Sequence, residues 1–223
     1  MATSKIERFE EVKQFPNCFY HSFEQSLKGS VMKGKWNENY FNNNNPIVLE
    51  LGCGKGEYTV GLGKKYVSKN FIGVDIKGNR IWKGAKESLE NNIKNVAFLR
   101  TRIDFIESCF AANEVSEIWI TFPDPQPQKT RERKRLVSTM FTNRYKKLIV
   151  PGGLIHLKTD SEGLYLYALE IIKQEGYSTV LSTANLYNET LPIFDEAKGI
   201  QTFYESIYLK KGVPIKYIQF KIS

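Results

Sequence analysis

From residue 46 onward, short apolar runs alternate with stretches of helical periodicity, and this alternation limits the possible folds more than any other feature. Ile47 to Leu51, for example, is an apolar run that stops at glycines, which is typical of a buried strand. Seven segments have strand character, at residues 47–51, 70–75, 95–99, 115–122, 154–159, 177–183 and 214–222. Five have helical character, at residues 56–66, 78–92, 105–112, 136–150 and 163–175, while 201–211 fits either state. The pattern predicts an α/β fold with a mostly parallel seven-stranded sheet and helices on both faces.

Residues 1–45 lack this alternation. They mix charged and aromatic residues and end in four consecutive asparagines, Asn42 to Asn45, which favour turns. We therefore expect a partly flexible N-terminal arm over 1–45 and one folded domain over 46–223. Aromatic side chains in the arm can stack on nucleic-acid bases, but packing against the domain is the expected arrangement.

The charge balance favours a polyanionic partner. Lys and Arg number 32 against 24 Asp and Glu, which gives a net charge of +8 and a pI near 9.2. Clustered cations neutralise phosphates, so nucleic acid is a better explanation than solubility alone. The three cysteines form no C-x-x-C pair and the two histidines are isolated, so neither a disulfide framework nor a metal site is expected. A signal-peptide pattern and a membrane-length apolar run are both lacking, which predicts a cytoplasmic protein with no membrane partner.

A glycine-rich loop follows the first predicted strand in "VLELGCGKGEY". Gly52, Gly54 and Gly56 have the spacing G-x-G-x-G, and glycine at a strand-to-helix turn lets a ligand approach the backbone. Position 57 is Glu, so the dinucleotide fingerprint G-x-G-x-x-G is not matched. Glu50 precedes the loop, where it can accept a hydrogen bond from a ligand ammonium group. Asp75 ends the next strand, at the usual reach of an acid that binds ribose hydroxyls. The combination looks like the S-adenosylmethionine site of Rossmann-like methyltransferases.

A second motif, "FPDP", follows the fourth of these strands and precedes a basic run. Prolines on both sides fix the backbone around Asp124. The run from Lys129 to Arg135 holds five cations, and we expect it to contact an RNA backbone as a group, although a solvated helix start is the ordinary role of such a run.

The order of these motifs resembles that of the bacterial tRNA (guanine-N7)-methyltransferase family. The resemblance runs from about Pro46 to the C-terminus, through "LELGCGKGEY", "FIGVD", "FPDP", "KTRERKRL", "PGGLIHLKTD" and "TFYE". It implies a Rossmann-like methyltransferase fold, S-adenosylmethionine as cofactor, tRNA as substrate and a guanosine of the variable loop as target. It also implies a helix start in 201–211. A monomer and a homodimer both fit it.

The resemblance also assigns site residues. Glu50, Gly52, Gly54, Asp75 and Asp124 match the cofactor site, and Asp124 is also the expected catalytic residue. The residues matched to the substrate site are Gln128, Lys129, Arg133, Asp160, Thr202 and Glu205.

The chain departs from the family in three places. Gln126 and Gln128 stand where the family commonly has Trp and Lys, and Lys129 follows one residue late. Arg102 stands where the family usually has Asp or Asn near the adenine, so the expected contacts there come from the backbone of Arg102 and Ile103. "TFYE" keeps only the ends of its motif.

Guanine N7 carries an exposed lone pair, so its methylation requires no prior removal of a proton. The enzyme needs mainly to align N7 with the methyl group, and a fixed carboxylate such as Asp124 favours the positive charge that the ring gains. Two alternatives stay open from the sequence. One is a methyltransferase acting on another RNA or a small molecule, and the other is a catalytically inactive RNA-binding relative.

Overall fold

Eight strands form one mixed sheet in the computed structural model, which describes residues 4–222. The strands are β1 Cys18–Tyr20, β2 Ile47–Leu51, β3 Asn70–Asp75, β4 Val96–Arg100, β5 Val115–Thr121, β6 Ile149–Thr159, β7 Ser178–Thr183 and β8 Lys216–Lys221. Their order across the sheet is β1-β4-β3-β2-β5-β6-β8-β7. The neighbours from β1 to β6 run parallel, and β8 is antiparallel to both β6 and β7. The α/β fold and its mostly parallel sheet are thereby confirmed.

The prediction of seven strands was wrong by one, because the N-terminal arm contributes an edge strand. In β1, Cys18 pairs with Phe98 and Tyr20 with Arg100. The ring of Phe19 packs edge-on against Trp36 and Tyr40, at centroid distances of 4.9 and 5.1 Å. Three residues are too few to show strand periodicity in a sequence. The boundary expected at residue 45 and the flexibility of the arm remain predictions.

Nine α-helices surround the sheet within residues 4–222. They are α1 Lys5–Glu11, α2 Phe23–Lys28, α3 Glu57–Lys65, α4 Gly78–Glu90, α5 Ile106–Cys109, α6 Thr139–Tyr145, α7 Glu162–Gln174, α8 Asp195–Lys198 and α9 Phe203–Lys210. Short 3₁₀ segments cover Val12–Gln14, Ile103–Phe105, Lys129–Lys134, Leu186–Asn188 and Pro192–Phe194, and a π-turn covers Asn37–Phe41. Across this described part of the chain, no helix combines the length and the apolar character needed to cross a bilayer.

The helix predicted over 136–150 is shorter, because strand pairing begins earlier than expected. Ile149 pairs with Val115, and after an irregularity Leu154 pairs with Glu117, so the Pro-Gly-Gly segment lies inside β6. At Gly153 a Cβ atom would stand 2.9 Å from the carbonyl oxygen of Ser116, so this close approach of two strands requires glycine.

The undecided segment 201–211 forms α9. Its start is fixed by a capping box in which Glu205 N donates to Thr202 Oγ1 at 3.2 Å and Thr202 N donates to Glu205 Oε2 at 3.3 Å.

Two apolar layers enclose the sheet. All five side chains of β2 are buried, with Leu49 and Leu51 in one layer and Val48 in the other. Glu50 therefore faces the same side as Val48, because side chains alternate along a strand. The carboxyl ends of the parallel strands β2, β3, β4, β5 and β6 meet along one edge, and the loops that follow them form the candidate site.

Candidate active site at the carboxyl ends of the strands

The glycine loop joins β2 to α3 in a backbone conformation that favours glycine. Gly52, Gly54 and Gly56 have φ angles of 79°, 55° and 73°. A Cβ atom at Gly56 would lie 2.6 Å from the ring of Phe98, so packing also requires glycine there. At Gly52 and Gly54 a Cβ atom would meet nothing within 4 Å. The first two glycines thus leave room for a ligand against the backbone, whereas the third closes the helix onto the sheet.

Glu50 lies beneath this loop, and both of its carboxylate oxygens accept hydrogen bonds. Its Oε2 accepts hydrogen bonds from Thr59 N at 2.9 Å and from Thr59 Oγ1, and its Oε1 accepts one from Thr121 Oγ1 at 2.6 Å. Burial raises the pKa of Glu50 to about 7 despite these hydrogen bonds, and the nearby charge of Asp75 acts in the same direction. Glu50 therefore ties β2 to α3 and to the end of β5, directly behind the loop.

Asp75, at the end of β3, braces the loop from the other side. Its Oδ2 accepts a hydrogen bond from Gly54 N at 2.9 Å, and its Oδ1 accepts one from Lys77 N at 2.8 Å. Asp75 lines a cavity of about 390 Å³ together with Gly52, Arg102 and Ile103. The guanidinium of Arg102 is largely exposed and lies 3.4 Å from Asp104.

A second cavity, of about 330 Å³, opens on the other side of Gly52. It is lined by residues from five loops or elements that are far apart in sequence, among them Gly52, Gly54, Lys55, Arg80, Asp124, Asp160, Thr202, Phe203, Tyr204 and Tyr208. Gly52 lines both cavities, so they adjoin at the glycine loop along the sheet edge, and we refer to the two together as the cleft. The first cavity is lined by two acids, Asp75 and Asp104, and the second by three, Glu57, Asp124 and Asp160.

The FPDP loop holds Asp124 at the wall of the second cavity. Phe122, the first residue of the motif, and Gln126, which follows the motif, have φ angles of 46° and 44°. Such angles are unfavourable for side chains of this size and persist only where neighbouring structure enforces them. Asp124 Oδ1 accepts a hydrogen bond from Gln126 N at 3.0 Å, which orients the exposed carboxylate.

Arg135 enforces that conformation from behind. Its Nε lies 3.2 Å from Pro125 O and 3.3 Å from Gln126 O, and its Nη2 donates to Gln126 O at 3.1 Å. The guanidinium stacks 4.3 Å from the ring centroid of Tyr167, and Arg135 is only 8% exposed. Arg135 therefore cannot contact RNA from the basic run as a free surface cation.

The rest of the basic run is on the surface. Lys129–Lys134 is a 3₁₀ helix in which Lys129, Arg131, Arg133 and Lys134 are exposed. Lys134 reaches the cavity of Asp75, while Gln128, Lys129 and Arg133 lie outside both cavities.

The acids near the C-terminus occupy two different environments. Asp160 lines the second cavity beside Tyr208, and its charge raises the pKa of that phenol. Glu205 is fully buried and lines neither cavity. Its carboxylate lies 2.7 Å from the ammonium of Lys158 and accepts a hydrogen bond from Tyr187 OH at 2.8 Å.

Lys158 has no exposed surface and also donates to the carbonyls of Ala197 and Ile200, at 2.6 and 3.2 Å. Burial lowers the pKa of Lys158, although the charge of Glu205 opposes that effect. The pair holds α9, and with it Thr202, against the end of β6 that carries Asp160.

The structure thus brings together Gly52, Gly54, Asp124, Asp160 and Thr202, and it places Asp75, Arg102 and Ile103 around the adjoining cavity. Sequence reasoning missed several supporting residues, namely Thr59, Thr121, Lys158, Lys55 and Arg80, and it expected Arg135 to contact RNA with the rest of the basic run. The motifs "KTD" and "KTRERKRL" contain Lys158 and Arg135, but no sequence signal separates a buried cation from an exposed one.

Within residues 4–222, no group of three or more His, Cys, Asp or Glu side chains is arranged to hold a metal ion.

Comparison with known proteins identifies the family. Residues 44–218 match the model of a family described as putative methyltransferase. The chain is 53% identical over 223 residues to a tRNA (guanine-N(7)-)-methyltransferase of Christiangramia forsetii, covering 99% of this chain and 98% of that protein. It is 50% identical to the protein of that name from Bacteroides fragilis, covering 99% and 86%. In fold it resembles the 16S rRNA methyltransferase KamB, with a TM-score of 0.60, 14% identity, and coverage of 91% and 94%.

The similarity extends over almost the whole chain, so the matched region spans the glycine loop, the FPDP loop and the C-terminal acids. The resemblance expected from the motifs is confirmed, and the chain belongs to the tRNA (guanine-N7)-methyltransferase family.

Proposed function

We propose that this protein transfers a methyl group from S-adenosylmethionine to N7 of a guanosine in tRNA, in the variable loop by resemblance to its family. The observation that carries the proposal is the shared cleft, in which the glycine loop, Asp124 and Asp160 line one cavity. A donor bound along the loop and a base bound beside Asp124 would be neighbours. The names of the relatives supply the substrate class.

The residues present fit S-adenosylmethionine. The open space at Gly52 and Gly54 admits a ligand next to the backbone, and Asp75 offers a carboxylate at the end of the second strand of the motif. Arg102 and Ile103 line the same cavity and are assigned to the adenine side. Glu50 fixes the loop from below, so its expected part in cofactor binding is exerted through the loop it holds. When bound, this cofactor supplies an electrophilic methyl group on a sulfonium sulfur.

Asp124 is the proposed catalytic residue. The N7 lone pair forms the new C–N bond while the electron pair of the broken C–S bond stays on sulfur, so the guanine ring becomes positively charged and no proton moves. A carboxylate held rigidly beside the ring stabilises that developing charge. Its orientation is fixed before the base arrives, because Gln126 N and the clamp of Arg135 hold the loop.

The remaining assigned residues bind the RNA. Asp160 and Thr202 line the same cavity as Asp124 and are assigned to the target nucleotide. Gln128, Lys129 and Arg133 are exposed beyond the cavity and are assigned to the RNA strand. Glu205 acts by positioning Thr202 through the capping box. A tRNA substrate implies a cytoplasmic enzyme, which works as a monomer or a homodimer.

The test is a methyl-transfer assay with purified protein, an unmodified tRNA transcript and labelled cofactor, followed by nucleoside mass spectrometry. The expected product is 7-methylguanosine, formed only when protein and cofactor are both present. A different methylated nucleoside would overturn the assignment of the substrate.

Asp124→Ala tests the catalytic assignment. Removing one electrostatic stabiliser of a transition state typically lowers kcat by about 100- to 1,000-fold. Asp195→Ala is the matched control, because Asp195 is an exposed aspartate, paired with Lys198, that lies outside both cavities. Wild-type turnover by Asp124→Ala would refute the catalytic role.

A further inference from the structure

Two aromatic side chains that line the second cavity are more than half exposed. Phe203 is 54% exposed and Tyr204 is 55% exposed, although each has a large apolar ring. The two rings meet edge-on at a centroid distance of 6.1 Å, and both line the cavity that contains Asp124. An apolar surface of this kind beside a cleft marks a place where a ligand packs.

The aromatic pair is held firmly. Phe203 and Tyr204 form the first turn of α9, between Thr202 and Glu205, which are the two members of its capping box. Phe203 N donates to Glu57 Oε2 at 2.8 Å, so the turn is also tied to α3. The buried ion pair of Glu205 and Lys158 anchors the helix below. The rings are therefore presented by a fixed backbone.

Cations surround the aromatic pair. The ammonium of Lys55, in the glycine loop, lies 5.0 Å from the ring centroid of Phe203. Arg80 lines the same cavity, and both side chains are exposed. Exposed rings beside cations are the combination that binds single-stranded nucleic acid, because the rings stack on bases and the cations neutralise phosphates.

We propose that Phe203 and Tyr204 form a stacking subsite for a nucleobase of the RNA substrate, with Lys55 placed for a phosphate of the same strand. The subsite rests on the proposed function, because it takes tRNA as the ligand, and it adds the residues that capture an unstacked base. Enzymes that modify a base within structured RNA must take it, or its neighbour, out of the stack, and an aromatic surface at the cavity mouth compensates for the lost stacking.

The test measures binding of a tRNA transcript and methyl transfer separately. Phe203→Ala is expected to weaken tRNA binding by about 5- to 150-fold, the effect of removing one base–aromatic stack. Phe203→Trp keeps an aromatic ring and is expected to restore binding. Phe23→Ala is the matched control, because Phe23 is 62% exposed but lies outside both cavities.

Two further readouts separate stacking from charge and from cofactor binding. Phe203→Ala is expected to leave the salt dependence of tRNA binding unchanged. Lys55→Ala is expected to lower the slope of log K against log salt concentration by about 1, which corresponds to the loss of one phosphate contact. Affinity for S-adenosylmethionine, measured by calorimetry, and the unfolding temperature are expected to stay at wild-type values in Phe203→Ala.

The outcomes distinguish a failure of the stacking subsite from a failure of the proposed function. If wild-type protein forms 7-methylguanosine and Phe203→Ala binds tRNA as tightly as Phe23→Ala, the subsite is wrong and the proposed function stands. If Phe203→Ala loses cofactor affinity as strongly as tRNA affinity, the ring serves the cofactor and the subsite is again overturned. If Phe203-dependent RNA binding is found without 7-methylguanosine formation, the subsite is supported and the proposed reaction fails.

Discussion

Replacing Lys158 by methionine removes the cation of the buried pair that joins β6 to α9. Neither side chain of the pair has exposed surface, and the ammonium lies 2.7 Å from Glu205 Oε1. After the substitution the Glu205 carboxylate keeps only its hydrogen bonds from Tyr187 OH and Thr202 N, and the carbonyls of Ala197 and Ile200 each lose a donor. Removing one partner of such a pair typically costs about 3–5 kcal/mol, because the other charge stays buried.

For a domain of this size, 1 kcal/mol shifts the unfolding temperature by about 2–4 °C, so Lys158→Met should lower it by about 6–20 °C. The assay is urea and thermal unfolding followed by circular dichroism. Lys64→Met is the matched control, because Lys64 and Glu87 form an ion pair of similar length, 2.7 Å, with side chains 49% and 37% exposed. That substitution should cost no more than about 1 kcal/mol.

The double variant Lys158→Met with Glu205→Met identifies the source of the cost. It removes the uncompensated charge, so it should be more stable than Lys158→Met alone, although the carbonyls of Ala197 and Ile200 remain without their donor. Equal destabilisation by Lys158→Met and Lys64→Met, or additive losses in the double variant, would refute the buried-pair reasoning.

Three further predictions concern the site and its surroundings. Burial raises the pKa of Glu117, but the hydrogen bonds and charges of His156 and Lys69 outweigh it and lower that pKa to about 2. The stability that this group contributes is therefore present above pH 4.5 and is lost as the pH falls towards 2, by at most about 3 kcal/mol. In Glu117→Gln, the free energy of unfolding should change less between pH 5 and pH 3 than in the wild type. The pH dependence of the stability from Glu50 has the opposite sign, because its pKa is raised to about 7. Its contribution to the free energy of unfolding is full below pH 4.5 and is lost as the pH rises to 7. Glu50→Gln should therefore reduce the decline in that free energy between pH 5 and pH 8. Arg135→Met should lower kcat for tRNA by up to about 100-fold, because the loop that carries Asp124 loses the hydrogen bonds that hold it in place. Arg135→Lys should restore part of the activity, and neither variant should change tRNA affinity much. A rise in KM with unchanged kcat would contradict the proposed role of Arg135 in holding this loop.

The sequence predicted the parts of this protein that depend on local pattern. Strand β2 and strand β3 were predicted with their observed bounds, because apolar runs that end at glycine or aspartate are strong local signals. The helix at 136–150 was predicted too long, because a segment with Pro151 and two glycines looks like a stop signal. Its pairing with β5 is a long-range contact, which the sequence does not display.

The same division applies to the site. The pattern placed Gly52, Gly54, Asp75 and Asp124 at the ends of strands, which meet at one edge of a parallel sheet, and the family resemblance assigned their expected roles. Sequence could not tell that Glu205 is buried against Lys158, since both look like ordinary charged residues of a polar segment.

What the sequence determined by itself is therefore the fold class, the family and the line of residues at the sheet edge. Only the tertiary structure decided which charges are free. It buried Arg135 behind the FPDP loop and Lys158 beneath α9, while it left Phe203 exposed at the cavity mouth. Exposure and ion pairing depend on which elements pack together, because residues such as 158 and 205, 47 positions apart, meet only through tertiary packing.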